Sequence, residues 1–283
     1  NGFTQRDLER VKAGIETQFY NGLASVLGKA FQLAQYNIFA GDPGYVNEDI
    51  SKTLDVTLED VNRVYEQYIK DRRYIATSFV PRGQAGLALD GSEKADVQIE
   101  EIIAEAEGES FELPEITEYE CTPSGFNRSE EPPYGQAPEI TVPDVWTAKL
   151  GNGMGVYGIE QNEIPLVQFN LQIRGGMMFE NPEKIGVSNL LGELLTKGTA
   201  NKTAAELEEA INLLGASVTV NGGRRDITVS GNTLAKNYPK TMELVTEILL
   251  EPRWDEREFE LAKQSVMSRI AQQESSPNSI ASN

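Results

Sequence analysis

The 283-residue chain contains no His and a single Cys, Cys121. A Ser-His-Asp triad, a Cys-His pair and an imidazole metal site are therefore out of reach, as are an internal disulfide and a Cys-rich zinc site. The remaining chemistry-bearing residues are carboxylates, serines and glycine turns. Glu183, Glu193, Glu206, Glu208 and Glu209 could do acid–base work or hold a metal, but their spacing reads first as solvated helix faces. Ser188, Ser217 and Ser265 have no sequence-visible base. Gly175-Gly176 ends an alternating segment without the G-K-[ST] or G-x-G-x-x-G that a phosphate site needs, and Lys197-Gly198-Thr199 follows a helical pattern instead of opening one, so both read as turns. Arg253-Trp254 after Pro252 reads as a helix–helix corner packed by Trp254.

Elements able to position these residues lie on both sides of an acidic tract. Residues 91–140 hold 14 acids against the two bases Lys94 and Arg128, which is twelve of the chain's nineteen net negative charges. Seven of the 13 prolines fall within 81–143. Such a stretch packs no core of its own and reads as an extended linker, with no D-x-D-x-D-G calcium loop in it. The expected organisation is a helical piece over 1–83, a linker over 84–144 and a second domain over 145–283. The net charge of −19 argues against nucleic acid as a partner, and no apolar run is long enough for membrane insertion. The chain opens on Asn1, which fits a processed chain or a piece of a longer one.

In the first piece, Thr4-x-x-Asp7 opens a capping box, and apolar residues from Leu8 to Phe31 recur at helical spacing, which predicts one long helix to about Phe39. Gly41-Asp42-Pro43-Gly44 stops it. A short helix follows, then one starting at Thr57-x-x-Asp60, then a strand over 73–80 whose sheet must lie elsewhere.

The second piece reads β-β-β-α-α-β-β-α-α. Asn152-Gly153 marks a hairpin. Val167, Phe169, Leu171 and Ile173 alternate as a third strand, and a helix spans 183–196. Thr203-x-x-Glu206 caps another helix that ends at Gly215. A second hairpin turns at Gly222-Gly223, and helices cover about 236–250 and 255–273. Strands and helices in groups predict an α+β fold, a mixed or antiparallel sheet with helices on one face.

Over IPLVQFNLQIRGGMMFENPEKIGVSNLLGELLTKGTANKTAAELEEAINLLGASVTV (164–220), the hairpin Asp226–Ser230 and LLEPRWDEREFELAKQSV (249–266), the chain resembles the insulinase/pitrilysin family of zinc metallopeptidases. FTQRDLERVK and TLEDVNRVYEQYI resemble the end of that family's preceding domain. The family's H-x-x-E-H helix carries two zinc ligands and the base that activates the metal-bound water. That motif falls on Asn189-Leu190-Leu191-Gly192-Glu193: Asn189 and Glu193 stand at the two His positions, Gly192 at the base, and Arg269 near the third ligand. The resemblance therefore implies the junction of a two-half peptidase with no catalytic residue, metal or cofactor in this chain and zinc in the other half of the parent. The chain would form chamber wall and peptide-binding surface, with strand addition along Val167–Ile173. The implied partners are a peptide substrate and, through docking of residues 1–83, the missing half or another copy. A structural or partner-binding subunit of the same family is the alternative. Family members of this build imply the periplasm.

Overall fold

The computed structural model describes residues 2–91, 93, 125, 127, 129–131, 135–137, 139, 141–275, 277 and 281. Most of the acidic tract, with Cys121, lies outside the described residues. The chain forms two compact units, one made of Asn1–Asp71 with Glu160–Asn283, the other of Arg72–Ile159.

The first unit starts with α1 (Gln5–Leu23), whose capping box pairs the Thr4 hydroxyl with the Asp7 N–H and the Asp7 carboxylate with the Thr4 N–H. The expected single helix is two. Ser25 takes an extended backbone and its hydroxyl accepts from the Gly28 N–H, starting α2 (Val26–Ala40). Gly28 lies against the Gly22 carbonyl, an approach that a larger side chain would block. Helical periodicity alone does not show such a break, because the apolar stripe runs on through it. Gly41, left-handed at φ +76°, ends α2, and α3 (Tyr45–Asp55) and α4 (Leu58–Tyr68) follow. Lys12 on α1 donates to the Leu54 carbonyl at the end of α3 at 2.5 Å, and the Tyr36 hydroxyl on α2 donates to Asp49 on α3 at 2.6 Å.

The second unit contains the expected hairpin, β1 (Val145–Lys149) and β2 (Gly155–Ile159), paired antiparallel. Gly153 turns it at φ +90°. Residues 73–80 form no strand, which corrects the expectation. Tyr74, Ile75 and Phe79 are residue types that strands favour, but they are fully exposed, and no strand in the described residues pairs with them. A strand is held by its neighbour's ladder as much as by its own residues.

The centre of the first unit is an antiparallel sheet in the order β3-β7-β6, made by β3 (Leu166–Arg174), β6 (Ser217–Gly222) and β7 (Asp226–Leu234). Between β3 and β6 lie α5 (Val187–Leu195), the two-residue strands β4 (Gly198–Thr199) and β5 (Lys202–Thr203), and α6 (Ala204–Leu213). Helices α7 (Tyr238–Leu250) and α8 (Glu256–Glu274) close the fold. Alternation along the strands sets Phe169 and Leu171, Val218 and Val220, and Ile227 and Val229 against Leu195, Leu207, Leu244, Val245 and Ile248 of the helices. Gln168, Asn170, Gln172, Thr219 and Asn221 take the alternate positions and are exposed, so the sheet is apolar on one face and polar on the other. The fold is α+β with an antiparallel sheet, as the grouped elements predict.

The helical piece packs on this same unit. The buried Thr17 hydroxyl on α1 donates to the Gly215 carbonyl at 2.7 Å, Arg6 pairs with Glu209 at 2.7 Å, and Asn232 donates to Asn21 at 3.0 Å. Gly215, at φ +56°, is in contact with the Ala13 carbonyl.

Lys197-Gly198-Thr199, read from sequence as a turn, leads from α5 into the short strand β4. Thr199 is completely buried; its hydroxyl donates to Glu247 Oε1 at 2.6 Å, and Lys202 donates to Oε2 at 2.6 Å. These two bonds hold the Glu247 carboxyl below the usual carboxylate range. The acid form binds its proton less readily in the folded chain than in the unfolded one. Its contribution is therefore complete above the ordinary value of 4.5 and is lost as pH falls through the lower folded value. Glu247→Gln is expected to reduce stability at neutral pH by about 1.5 kcal/mol, the typical worth of charge-assisted hydrogen bonds. It should also flatten the acid side of the stability curve, measured as urea midpoints from pH 6 to about pH 3. An unchanged acid limb would show that Glu247 does not carry it.

Candidate functional site

Helix α5 has no N-cap side chain of its own: its N-cap is Gly186 at φ +101°. The Glu180 carboxylate fills that role, accepting from the Gly186 N–H at 2.7 Å and the Ser188 N–H at 2.5 Å. Bonds from Ser188 and Gly186 lower the Glu180 pKa. Glu180 thereby fixes where α5 starts and which residues it turns toward β6.

Glycines bring α5 onto β6. A Cβ on Gly192 would stand 2.9 Å from the Gly222 N and 3.0 Å from the Val220 O, and Gly222 itself touches the Ser188 carbonyl. Helix α8 lies on the other side of α5. The three elements enclose a cleft of about 640 Å³, lined among others by Asn189, Gly192, Glu193, Asn221, Ser265 and Arg269. Arg269 Nη2 on α8 lies 3.5 Å from Glu193 Oε2 on α5. The four positions that the resemblance aligns with a metal motif thus line one cleft, and two of them, Glu193 and Arg269, form an ion pair. With one partner 62% exposed, that pair adds little to stability.

These residues do not fit zinc. Zinc takes several anionic or neutral donors converging on one point. Here a single carboxylate faces a guanidinium that repels a cation, Asn189 is a weak donor whose amide N lies 3.9 Å from Met177 Sδ, and Gly192 supplies nothing. Among the described residues no group of three His, Cys, Asp or Glu side chains could hold a metal ion.

Val167, Phe169, Leu171 and Ile173 lie on β3, which is a sheet edge. Phe169 and Leu171 turn into the core, so any peptide on this edge would meet backbone, with side chains from the polar positions. The edge that borders the cleft is β6. The motif register does not reveal this, since the sheet order is set by pairing between residues far apart in sequence. Of the other sequence candidates, Ser265 lines the cleft and Ser188 is a buried residue of α5. Glu206 caps α6, and Glu209 pairs with Arg6. The structure does not bear out a corner packed by Trp254: its side chain is 57% exposed on a left-handed backbone at φ +53°. The corner is tied by backbone instead, the Arg253 N–H donating to Gly198 O at 3.3 Å and the Ala200 N–H to Glu251 O at 2.7 Å.

Residues 158–283 match the family model described as insulinase (peptidase family M16). Over that segment the chain is similar to the insulinase family. An uncharacterized zinc protease of Rickettsia felis is 25% identical over 133 residues, 47% of this chain and 32% of that protein. Cytochrome b-c1 complex subunit 1 of Bos taurus is 24% identical over 150 residues, 53% of this chain and 31% of that protein. The chain spans about a third of the length of these relatives. Among solved structures, a peptidase M16 inactive domain from Pseudomonas fluorescens superposes with a TM-score of 0.46 at 20% identity, covering 49% of this chain and 34% of that one.

Proposed function

We propose that this chain is a non-catalytic portion of a two-half zinc peptidase, forming chamber wall and peptide-binding surface, with hydrolysis and zinc in the other half of the parent. The observation that supports this reading is the α5–β6–α8 cleft: it gathers Asn189, Gly192, Glu193 and Arg269, which the resemblance aligns with a metal site and which supply no ligand set for one. A peptide would be held by strand addition to a free sheet edge. The edge of β6 beside the cleft supports this, and that of β3 at Val167–Ile173 offers a second place for it. Residues 1–83 would serve docking to the missing half, and the periplasm is the proposed compartment.

The test is elemental analysis and a fluorogenic peptide assay on the full chain, together with fluorescence anisotropy of a neutral, strand-forming peptide. The expected result is no stoichiometric zinc, no cleavage and saturable peptide binding. About one zinc per chain, removed by Glu193→Ala, would overturn the reading.

A second reading, a structural or partner-binding subunit without any peptidase half, is favoured by the relatives named as subunits of the cytochrome b-c1 complex. An H-x-x-E-H motif in the parent ahead of Asn1 would decide for the peptidase, and its absence for the subunit.

A further inference from the structure

At the end of the sheet next to the cleft, a chain with a net charge of −19 presents three exposed arginines together. Arg174 ends β3, and Arg224 and Arg225 form the turn between β6 and β7. Backbone bonds lock these segments to each other: the Gly175 N–H donates to Arg225 O at 3.1 Å, the Met177 N–H to Gly223 O at 3.1 Å and the Met178 N–H to Arg224 O at 3.0 Å. Among the described residues none of the three arginines forms an ion pair. Arg174 stands over the Phe179 ring at 5.5 Å. Of the acids in these segments, Glu180 caps α5, and Asp226 stands opposite Arg174 in the ladder with Oδ1 beside Gly223. Beside the arginines are apolar side chains left open to solvent: Met178 and Phe179 are 58% and 59% exposed.

We propose that this corner binds the acidic part of a peptide that also carries a large apolar side chain, the rest of the peptide lying along the edge of β6. The inference rests on the reading of β6 as a peptide-binding edge. Strand β6 ends at Gly222, so a strand added to it runs on directly past Arg224 and Arg225. Charge decides the class of occupant. At physiological ionic strength charges further than about 8 Å apart are largely screened, so the acids elsewhere in the chain do not cancel a local cluster of three guanidiniums. The backbone clamp presents the cluster pre-organised, which lowers the cost of ordering it on binding. Three arginines beside open Met and Phe side chains suit a short acidic, apolar peptide better than a nucleic acid, whose binding needs a long track of phosphate contacts.

The test uses the full chain and three labelled peptides that share one strand-forming half. Their other half carries a Phe among Glu, Gln or Lys residues, and anisotropy reads binding. The Glu peptide is expected to bind about tenfold more tightly than the Gln peptide, with the Lys peptide weaker still. That preference should vanish in R224E/R225E, persist in R224K/R225K, and fade as salt rises to about 0.5 M. R224Q/R225Q serves as a second variant, with melting temperature confirming that each protein is folded. Equal binding of the Glu and Gln peptides overturns the corner and leaves the β6 reading standing; binding of none overturns both. A preference that survives R224E/R225E, or a single-stranded oligonucleotide that displaces the Glu peptide as well as unlabelled peptide does, also overturns the proposal.

Discussion

Restoring the family's motif, with Asn189→His, Gly192→Glu and Glu193→His together, is expected to yield a less stable protein that still binds no zinc. The reason lies at Gly192. A Cβ there meets the Gly222 N at 2.9 Å and the Val220 O at 3.0 Å, both backbone atoms of β6 that cannot swing aside. To admit Glu, α5 must lift off the strand, which loosens Leu195 and Val220 in the core. Overpacking of this kind costs about 3 kcal/mol. Removing a glycine from a helix returns less than about 1 kcal/mol. A net loss of about 2–3 kcal/mol is a large part of the roughly 5–15 kcal/mol that holds a domain together. Zinc fails for a separate reason: Arg269 remains beside position 193 and repels the cation. Asn189→His with Glu193→His, leaving Gly192 in place, should change stability by no more than about 1 kcal/mol, because Asn189 is exposed and the ion pair of Glu193 contributes little. Thermal melts and zinc titration of the two variants check this. A triple variant with wild-type stability and one bound zinc would show that the cleft is merely missing ligands.

The elements that were legible in the sequence are those whose signal is local. The alternation from Val167 to Ile173 became β3 with one residue added at each end, the Thr203/Glu206 box opens α6, and Asn152-Gly153 turns the β1–β2 hairpin. What was not legible depends on distant partners. The β4–β5 ladder has two residues on each side and exists because Thr199 and Lys202 are fastened to Glu247, more than forty residues on. The aromatic and β-branched residues of 73–80 have no strand beside them and form none. For the cleft, resemblance supplied the register of Asn189, Gly192 and Glu193. Residue types alone could not show that Glu193 would face Arg269, because that pair is set by how α8 crosses α5. The arginine corner had a visible trace, the GGRRD turn and the Arg174-Gly175-Gly176 exit. Only the pairing of β3 with β7 brings the two together.

Gly175 and Gly176 are expected to behave as opposites on substitution, although the sequence shows them as one feature. Gly176 has φ +92° and ψ −178°, a region open essentially to glycine, where any other residue is strained by about 1–3 kcal/mol. A Cβ at Gly176 would also stand 2.5 Å from Gly223 O and 2.9 Å from the Asp226 N, backbone atoms on the facing turn. The two penalties are independent, one conformational and one steric, so Gly176→Ala should lose about 4 kcal/mol. At Gly175 the φ is ordinary, and a Cβ would meet the Ile227 side chain at 3.5 Å, a normal contact. Gly175→Ala should therefore stay within about 1 kcal/mol of the parent. The chain has one way to avoid the full loss in Gly176→Ala, which is to open the turn locally and release the bonds from Gly175, Met177 and Met178 to the 223–225 backbone. Hydrogen exchange separates the two outcomes. Global destabilisation lowers protection throughout the β3-β7-β6 sheet, whereas local opening exposes only the amides of Gly175, Met177 and Met178. In the second case all three arginines remain but no longer sit on a fixed frame. Acidic-peptide binding should then weaken without the loss of a single charge, which tests whether the corner works by its geometry or only by its sign.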